Sequence, residues 1–460
     1  MFSSKSKNYQ IDMCNGTIFP KLLSFALPLM GSSILQLLFN AADIVVVGKF
    51  AGDNSLAAVG STSSLINLIT NLFIGLSIGT NVIVAKDFGA KNEKELKETI
   101  HTSIVLSFIS GIILTVIGVL GTGYILKLMQ SPKEVLILAT KYLKIYFLGI
   151  TATMVYNFGS AILRAVGDTK RPLYFLFSAG IINVVLNLFF VIVFDLGVVG
   201  VAAATAISQF FAAGCVIFCL IKDDSNIHLN IRELSINRVK FIQILRTGLP
   251  AGFQGVVFSL SNVVIQSAVN TFGPITIAGN SAAQNIEGFI YVSMNAFYQA
   301  AISFTSQNYG ANNFNRIKKI SIYSLICVFF TGFVLGLLTT IFSDPLLKFY
   351  SSNPAVIQAG QIRLSVICSF YFLCGMMDTL VGCLRGIGYS IMPMIVSLLG
   401  ACGLRLLWIG TIFQIPIFHT IQTIYFSYPI SWTITLLTHL VCFIYAFNKV
   451  KNFRYPFQTK

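Results

Sequence analysis

The sequence predicts an all-α integral membrane protein, with twelve transmembrane helices in two parallel six-helix repeats. Three observations carry that prediction. The 460-residue chain is 55% hydrophobic and only 10% charged, whereas soluble domains run near 25% charged. Its apolar residues form long unbroken runs, and a spanning helix needs about 20 of them. A set of motifs also recurs at one constant offset.

The elements follow in chain order. Residues 1–21, "MFSSKSKNYQIDMCNGTIFPK", are polar and show no short apolar core ahead of a small-residue cleavage site, so a cytoplasmic segment and no cleaved signal peptide are expected. The first repeat, 22–221, holds apolar stretches at 22–48, 56–84, 98–122, 136–160, 172–194 and 197–221. Runs such as "IVLSFISGIILTVIGVLGTGYIL" do not alternate, which excludes barrel strands. The polar stretch "KDDSNIHLNIRELSINRVKF" opens a linker, 222–243. The second repeat, 244–447, holds stretches at 244–270, 275–302, 317–342, 360–384, 391–413 and 422–447, and a tail follows at 448–460.

Repetition ties the halves together. "AILRAVGDTKRP" (161–172) returns as "GCLRGIGYSIMP" (382–393), so that Leu163, Arg164, Gly167 and Pro172 recur as Leu384, Arg385, Gly388 and Pro393, 221 residues on. "DFGAKN" returns as "NYGANN" with Gly89 and Gly310 at the same offset, and Pro28 matches Pro250 at 222. Six spans is an even number, so both repeats enter from one side. Transporters built this way place substrate at the repeat interface. Arg164 and Arg385 suit helix C-termini, Gly167 and Gly388 tight turns, and Pro172 and Pro393 first helical turns. Pro28 and Pro250 suit a kink or a hinge.

A net charge of +15 raises nucleic acid as a partner, but its distribution argues for topology instead. With the N-terminus inside, 23 of the 31 Lys and Arg fall on the cytoplasmic side. Seven fall on odd loops and flanks, Arg363 among them, and Arg405 lies within span 11. This is the positive-inside pattern, and it puts both termini in the cytoplasm. The nine cysteines show no CxxC and no metal spacing, and no phosphate loop, HExxH or nucleophile constellation appears. No enzyme activity and no cofactor are expected.

Of sixteen acidic residues, only Asp43, Glu287 and Asp378 lie well inside spans. A charge at the bilayer centre costs about 2.5–3.5 kcal/mol on insertion scales, so each is a candidate functional residue. Asp43 stands some seven residues, roughly 10 Å, from the outer end of its span. Asn187 stands at the same depth, Asn183 is one turn away on its face, and Thr205 reaches a similar level from span 6. The four supply oxygen for a hard cation or a proton carrier, although Asn and Thr also glue membrane helices together. Gln36 and Asn40 share the face of Asp43, Gln284 lies one turn from Glu287 near the midplane, and these with Glu287, Asp378 and Arg405 are candidates to line a substrate cavity. Glu287 is expected to lend negative potential to a cavity, Asp378 to lie nearer the cytoplasmic mouth, and Arg405 to pair with an acid. Tyr291, Phe297, Tyr298 and Tyr371 are candidates to face flat cations.

"LPLMGSSILQLLFNAADIVVVGKF", "ILRAVGDTKRP", the pair Asn183 and Asn187 followed by "GVVGVAAATAISQ", and the double repeat together resemble the multidrug and toxic compound extrusion (MATE) family, bacterial members above all. The resemblance covers about residues 20–450. It implies two six-helix lobes around a central cavity, alternating access, and export driven by inward Na+ or H+. It places a cation site on Asp43, Asn183, Asn187 and Thr205, with Na+ as the metal the quartet would take. It also implies a bacterial inner (cytoplasmic) membrane protein, monomeric, meeting membrane lipid and small organic cations. The chain departs from the pattern where some members carry further acids: Asn187, Phe258 and Cys374 stand there. The expected function is secondary active export of amphipathic, cationic compounds. The rivals are a lipid-linked precursor flippase of the same architecture and, more remotely, a non-transporting receptor or scaffold.

Overall fold

The computed structural model describes residues 9–128, 133–223 and 225–454. Lys5, Lys7 and Lys460, which enter the charge asymmetry above, lie outside the described residues.

Among the described residues run twelve long helical segments. The first six are α1 (Ile18–Phe50), α2 (Asp53–Gly89), α3 (Glu93–Leu128), α4 (Lys133–Ala165), α5 (Lys170–Val193) and α6 (Gly197–Ile221). The next six are α7 (Arg238–Asn270), α8 (Pro274–Gly310), α9 (Phe314–Ile341), α10 (Pro354–Gly386), α11 (Ile391–Gln414) and α12 (Ile421–Arg454). Among the described residues, eleven helices are long and apolar enough to cross a membrane. The one below that threshold is α8. It is 37 residues long, but "NSAAQNIEG" and "SFTSQN" lower its hydropathy. Three segments leave α-helical geometry without ending: α5 closes in a π-turn at Phe189–Val193, α10 passes a 3-10 turn at Cys368–Phe370, and α11 carries a π-turn at Leu398–Gly403.

The repeat is written in the backbone as well as in the motifs. Gly52, Lys91 and Gly167 have φ of 83°, 55° and 98°; 221 residues on, Gly273, Asn312 and Gly388 have 88°, 59° and 94°. Gly167 and Gly388 close the turns after α4 and α10 in the left-handed region that glycine enters without strain. The turn bonds match: Asp168 N donates to Leu163 O at 2.9 Å, and Tyr389 N to Leu384 O at 2.9 Å. Arg164 and Arg385 occupy the last turns of their helices. Pro28 and Pro250 lie inside helices that continue through them.

The chain divides into two compact units whose limits differ from the repeat boundaries. One unit comprises Gly31–Phe253 with the described residues before Met13; the other comprises Met13–Met30 with the described residues from Gln254 onward. Each unit therefore takes the early part of the other repeat's first helix.

In the first unit, Gly75 and Gly79 of α2 face Gly248 and Gly252 of α7. A Cβ on Gly75 would sit 2.2 Å from Gly252 N, and one on Gly252 2.2 Å from Leu72 O. Two small-xxx-small faces thus bring backbone against backbone, which is how membrane helices gain van der Waals contact in the absence of a hydrophobic drive. Lys240 continues the attachment from the start of α7: buried itself, it bonds Asp87 at 2.7 Å and Glu95 at 2.8 Å. The segment before it is held as well. Asn230 meets His101, Asn237 donates to Glu98, and Arg171 bridges Asp223 and Asp168. Burial pushes the Asp168 carboxyl above its ordinary range, while Arg171 and the backbone amides of α5's first turn pull the other way.

In the second unit, the residues 221 on from Gly75 and Gly79 are Ala296 and Ala300, both buried, and Phe25 meets Phe304 edge-on at 5.5 Å. Asn308 and Arg316, the counterparts of Asp87 and Glu95, grip backbone. Both donate to Met13 O, and Arg316 also reaches Gly16 O and Asn15 O.

Candidate ion site and the buried charges

Asp43, seven residues before the end of α1, is half-buried, and Asn187 of α5 comes to it. Asn187 Nδ2 donates to Asp43 Oδ1, and also to Asn183 Oδ1 at 3.3 Å. Asn183 Nδ2 in turn donates to Thr205 Oγ1 of α6 at 3.2 Å, while that hydroxyl donates to Val201 O. The structure therefore brings all four residues of the quartet into one chain of hydrogen bonds within one unit. The i, i+4 spacing of the asparagines aims both amides from one face of α5. The π-turn begins two residues after Asn187, and such turns occur often where side chains are re-aimed at functional sites.

One atom in the group is left over. Asn187 is fully buried, and its Oδ1 accepts no hydrogen bond among the described residues. An orphan carbonyl oxygen beside a carboxylate costs desolvation with no return, unless a cation or a donor joins it. Tyr142 and Tyr146 of α4, stacked at 6.2 Å, lie within electrostatic reach of Asp43. Neither tyrosine was singled out in the sequence. The tract "TKYLKIYF" shows them four apart, which is the only signal they offer. Gln36 and Asn40 share the helix with Asp43 but are exposed and do not join its hydrogen bonds.

In the other unit, Glu287 has a different environment. It is 5% exposed, and Arg363 of α10 grips both its oxygens, Nε to Oε1 at 2.8 Å and Nη2 to Oε2 at 2.7 Å. Arg363 Nη1 donates to Asn280 Oδ1 at 2.8 Å, Tyr425 OH donates to the same oxygen, and Asn280 Nδ2 passes to Gln266. The guanidinium also lies 5.4 Å from the Tyr425 ring and 5.6 Å from that of Tyr428. Two expectations change here. Arg363, assigned above to an outer flank, sits ten residues into α10 and is 3% exposed. Glu287, expected to lend negative potential, is neutralised by a bidentate partner, because a carboxylate buried this deep requires one. Gln284 is exposed and stands apart from this network.

Arg405 also differs from expectation. No carboxylate lies within ion-pair distance of it among the described residues. Its Nε donates to Ser431 at 2.8 Å, and its guanidinium packs 4.2 Å from the Tyr428 ring and 5.4 Å from Trp432. Asp378 is half-buried, with no hydrogen bond or ion pair among the described residues, and lies within electrostatic reach of Arg385 and Arg405. Arg385 itself bonds Tyr298 and Gln254. Of the candidate aromatics, Phe297 and Tyr298 are buried and Tyr371 stacks on Trp432 at 5.4 Å, while Tyr291 is exposed.

Comparison with known proteins bears on what this architecture is. The MatE family model matches residues 28–189 and 250–409, one copy in each repeat. The chain is 25% identical over 430 residues to the probable multidrug resistance protein YoeA of Bacillus subtilis (strain 168), covering 92% of both chains. It is 29% identical over 398 residues to the probable multidrug resistance protein YpnP of the same organism, covering 86% of this chain and 88% of that one. The outward-facing structure of a multidrug resistance MATE family transporter of the MOP superfamily superposes with a TM-score of 0.89 at 22% identity, covering 96% and 98%.

Proposed function

The chain belongs to the MatE family of membrane transporters, and from that premise we propose that it is a secondary active exporter of amphipathic organic compounds, organic cations among them, driven by inward Na+ or H+. It works in the inner membrane with both termini in the cytoplasm. The observation that carries the reading is the Asp43 group: one carboxylate, two amides and a hydroxyl in a single hydrogen-bonded chain, with one oxygen unused among the described residues.

The chemistry of that group suits an exchanging ion. With Asp43 ionised and no cation present, the Asn187 amide donates to it, as the geometry has it. Turning that amide about its terminal bond exchanges donor for acceptor, and its orphan oxygen then faces Asp43 across a bound cation. Asn183 Oδ1 and Thr205 Oγ1 supply neighbouring neutral oxygens, the ligand type hard cations take. A proton on Asp43 would satisfy the same turned amide, because the acid then donates to it. The site thus has one hydrogen-bond arrangement for each occupancy. The ion shifts the conformational balance only through its different affinity for the two access states.

The test is flux in proteoliposomes carrying a fluorescent organic cation, under a sodium gradient alone and then a pH gradient alone. Export under one gradient, abolished by Asp43→Asn in a folded protein, names the ion. Wild-type export under neither gradient would reject the reading for this substrate class and favour lipid flipping.

A further inference from the structure

Applying the 221-residue offset to the Asp43 group gives its second-repeat counterparts: Val264, Leu404, Trp408 and Phe426. None carries a side-chain oxygen, so the second repeat has no copy of the first repeat's site. One residue beyond Leu404, at that level of α11, stands Arg405.

Arg405 is 4% exposed, and of the five donors on a guanidinium only Nε has a hydrogen-bond partner among the described residues, Ser431. Tyr428 and Trp432 supply ring faces, which attract a cation but accept no conventional hydrogen bond. A buried guanidinium with four unused donors and no carboxylate in contact lacks its counter-charge. Asp378 makes no ion pair among the described residues and lies within electrostatic reach of Arg385 as well as of Arg405. Among the described residues of this unit, the charged side chains buried in its helices are Glu287 against Arg363, Arg385 and Arg405, with Asp378 half-buried, so an anion is what the balance lacks.

We propose that Arg405 is the floor of a subsite for the carboxylate of an amphipathic organic substrate, whose apolar or aromatic body lies against Tyr428, Trp432 and Tyr371. The guanidinium offers its unused terminal donors to the two carboxylate oxygens, the fork geometry arginine provides. Ser431 fixes its orientation, and the stacked rings keep water from the pair. Asp378 opposes the incoming carboxylate and sets a ceiling on its affinity. The chain would then carry carboxylate-bearing amphiphiles as well as cations.

The identity of the ligand as cargo rests on the exporter reading, but the test needs no gradient. The purified full-length protein is titrated with dansylglycine and with neutral dansylglycinamide, reading energy transfer from tryptophan, since Trp432 is one of only two in the chain. The wild type should bind the acid about tenfold tighter than the amide, the scale of a hydrogen bond to a charged group. Arg405→Gln should erase that preference, and Arg405→Lys should restore part of it. Asp378→Asn should tighten binding of the acid severalfold, a gain that misfolding cannot imitate and that stands even if Arg405→Gln does not fold. Equal affinity for acid and amide in the wild type, a preference that survives Arg405→Gln, or weaker acid binding in Asp378→Asn would each overturn the proposal. So would displacement of dansylglycine by phosphatidylglycerol and not by phosphatidylcholine, which would make the occupant a lipid phosphate. Acid-selective binding without gradient-driven flux would leave the subsite standing and remove the exporter reading alone.

Discussion

Asp43 and Glu287 are both carboxylates well inside membrane spans, yet their surroundings are opposite in kind. Asp43 is held by neutral groups, Asn187 directly with Asn183 and Thr205 beside it, and with a carbonyl oxygen unused among the described residues. Glu287 is held at both oxygens by Arg363, which is itself held by Asn280 and flanked by two tyrosine rings. A carboxylate whose partners are neutral can trade a proton or a metal ion without stranding another charge. One locked to a buried arginine cannot, because every departure of its charge leaves a guanidinium unpaired. An acid inside a membrane span is therefore not by itself a coupling residue. On the proposed reading the charge of its partner decides, and the two units of this protein differ in that partner at the level of individual side chains.

The contrast breaks most visibly at the Glu287 pair. Glu287→Gln strands Arg363 and should cost about 3–5 kcal/mol of stability, as removal of one member of a buried ion pair does. Replacing both members, Glu287→Gln with Arg363→Gln, should return much of that, so that thermal unfolding in detergent shows strong non-additivity. Asp43→Asn, with no charged partner to strand, should unfold near the wild-type temperature. If instead Glu287→Gln unfolds normally and removes gradient-driven flux, Glu287 is a coupling residue despite its charged partner. Next in size is Gly75→Ala. Its methyl meets backbone atoms of α7 that have nowhere to go, and overpacking of this sort costs about 1–3 kcal/mol. The reverse change at the matching place in the second unit, Ala296→Gly, should cost only about 0.5–1 kcal/mol, the helix-propensity difference. Equal losses at the two positions would show that both units pack with the same tolerance.

Much of this arrangement is legible in sequence, and the parts that are not share a cause. Continuous apolar runs mark eleven of the spans, and the motif offset marks the repeat, because both are local properties of the chain. The stretch at 197–221 coincides with α6 to the residue. Span α8 is legible mainly through the repeat, since its own polar residues lower its hydropathy. The Asp43 group could be assembled from depth alone, because three spans each place a polar residue the same distance from one end. The partner of Glu287 could not be found that way. Arg363 stands 76 residues away near a span boundary, and whether it lies in a flank or a core depends on how α8 and α10 pack. The same holds for Arg405, whose expected acid is replaced by Ser431 and two rings contributed by α12. Periodicity specifies which face a residue occupies on its own helix, and leaves open what stands opposite.

The smallest difference between the repeats is at their matching turns, and it separates backbone strain from packing. Gly167 and Gly388 share a left-handed φ near 95°, so an alanine at either place pays for that conformation, about 1–2 kcal/mol. Their surroundings differ. A Cβ on Gly388 meets nothing within 4 Å, whereas one on Gly167 would sit 2.5 Å from Ile11 O, the strand of chain whose amide donates to Gly167 O at 3.2 Å. Gly388→Ala should therefore show the conformational cost alone. Gly167→Ala should add the displacement of the N-terminal segment, seen as faster hydrogen exchange at the Ile11 amide. If the two variants lose the same stability and Ile11 stays protected, that segment yields without cost, and the turn's glycine is kept for its φ alone.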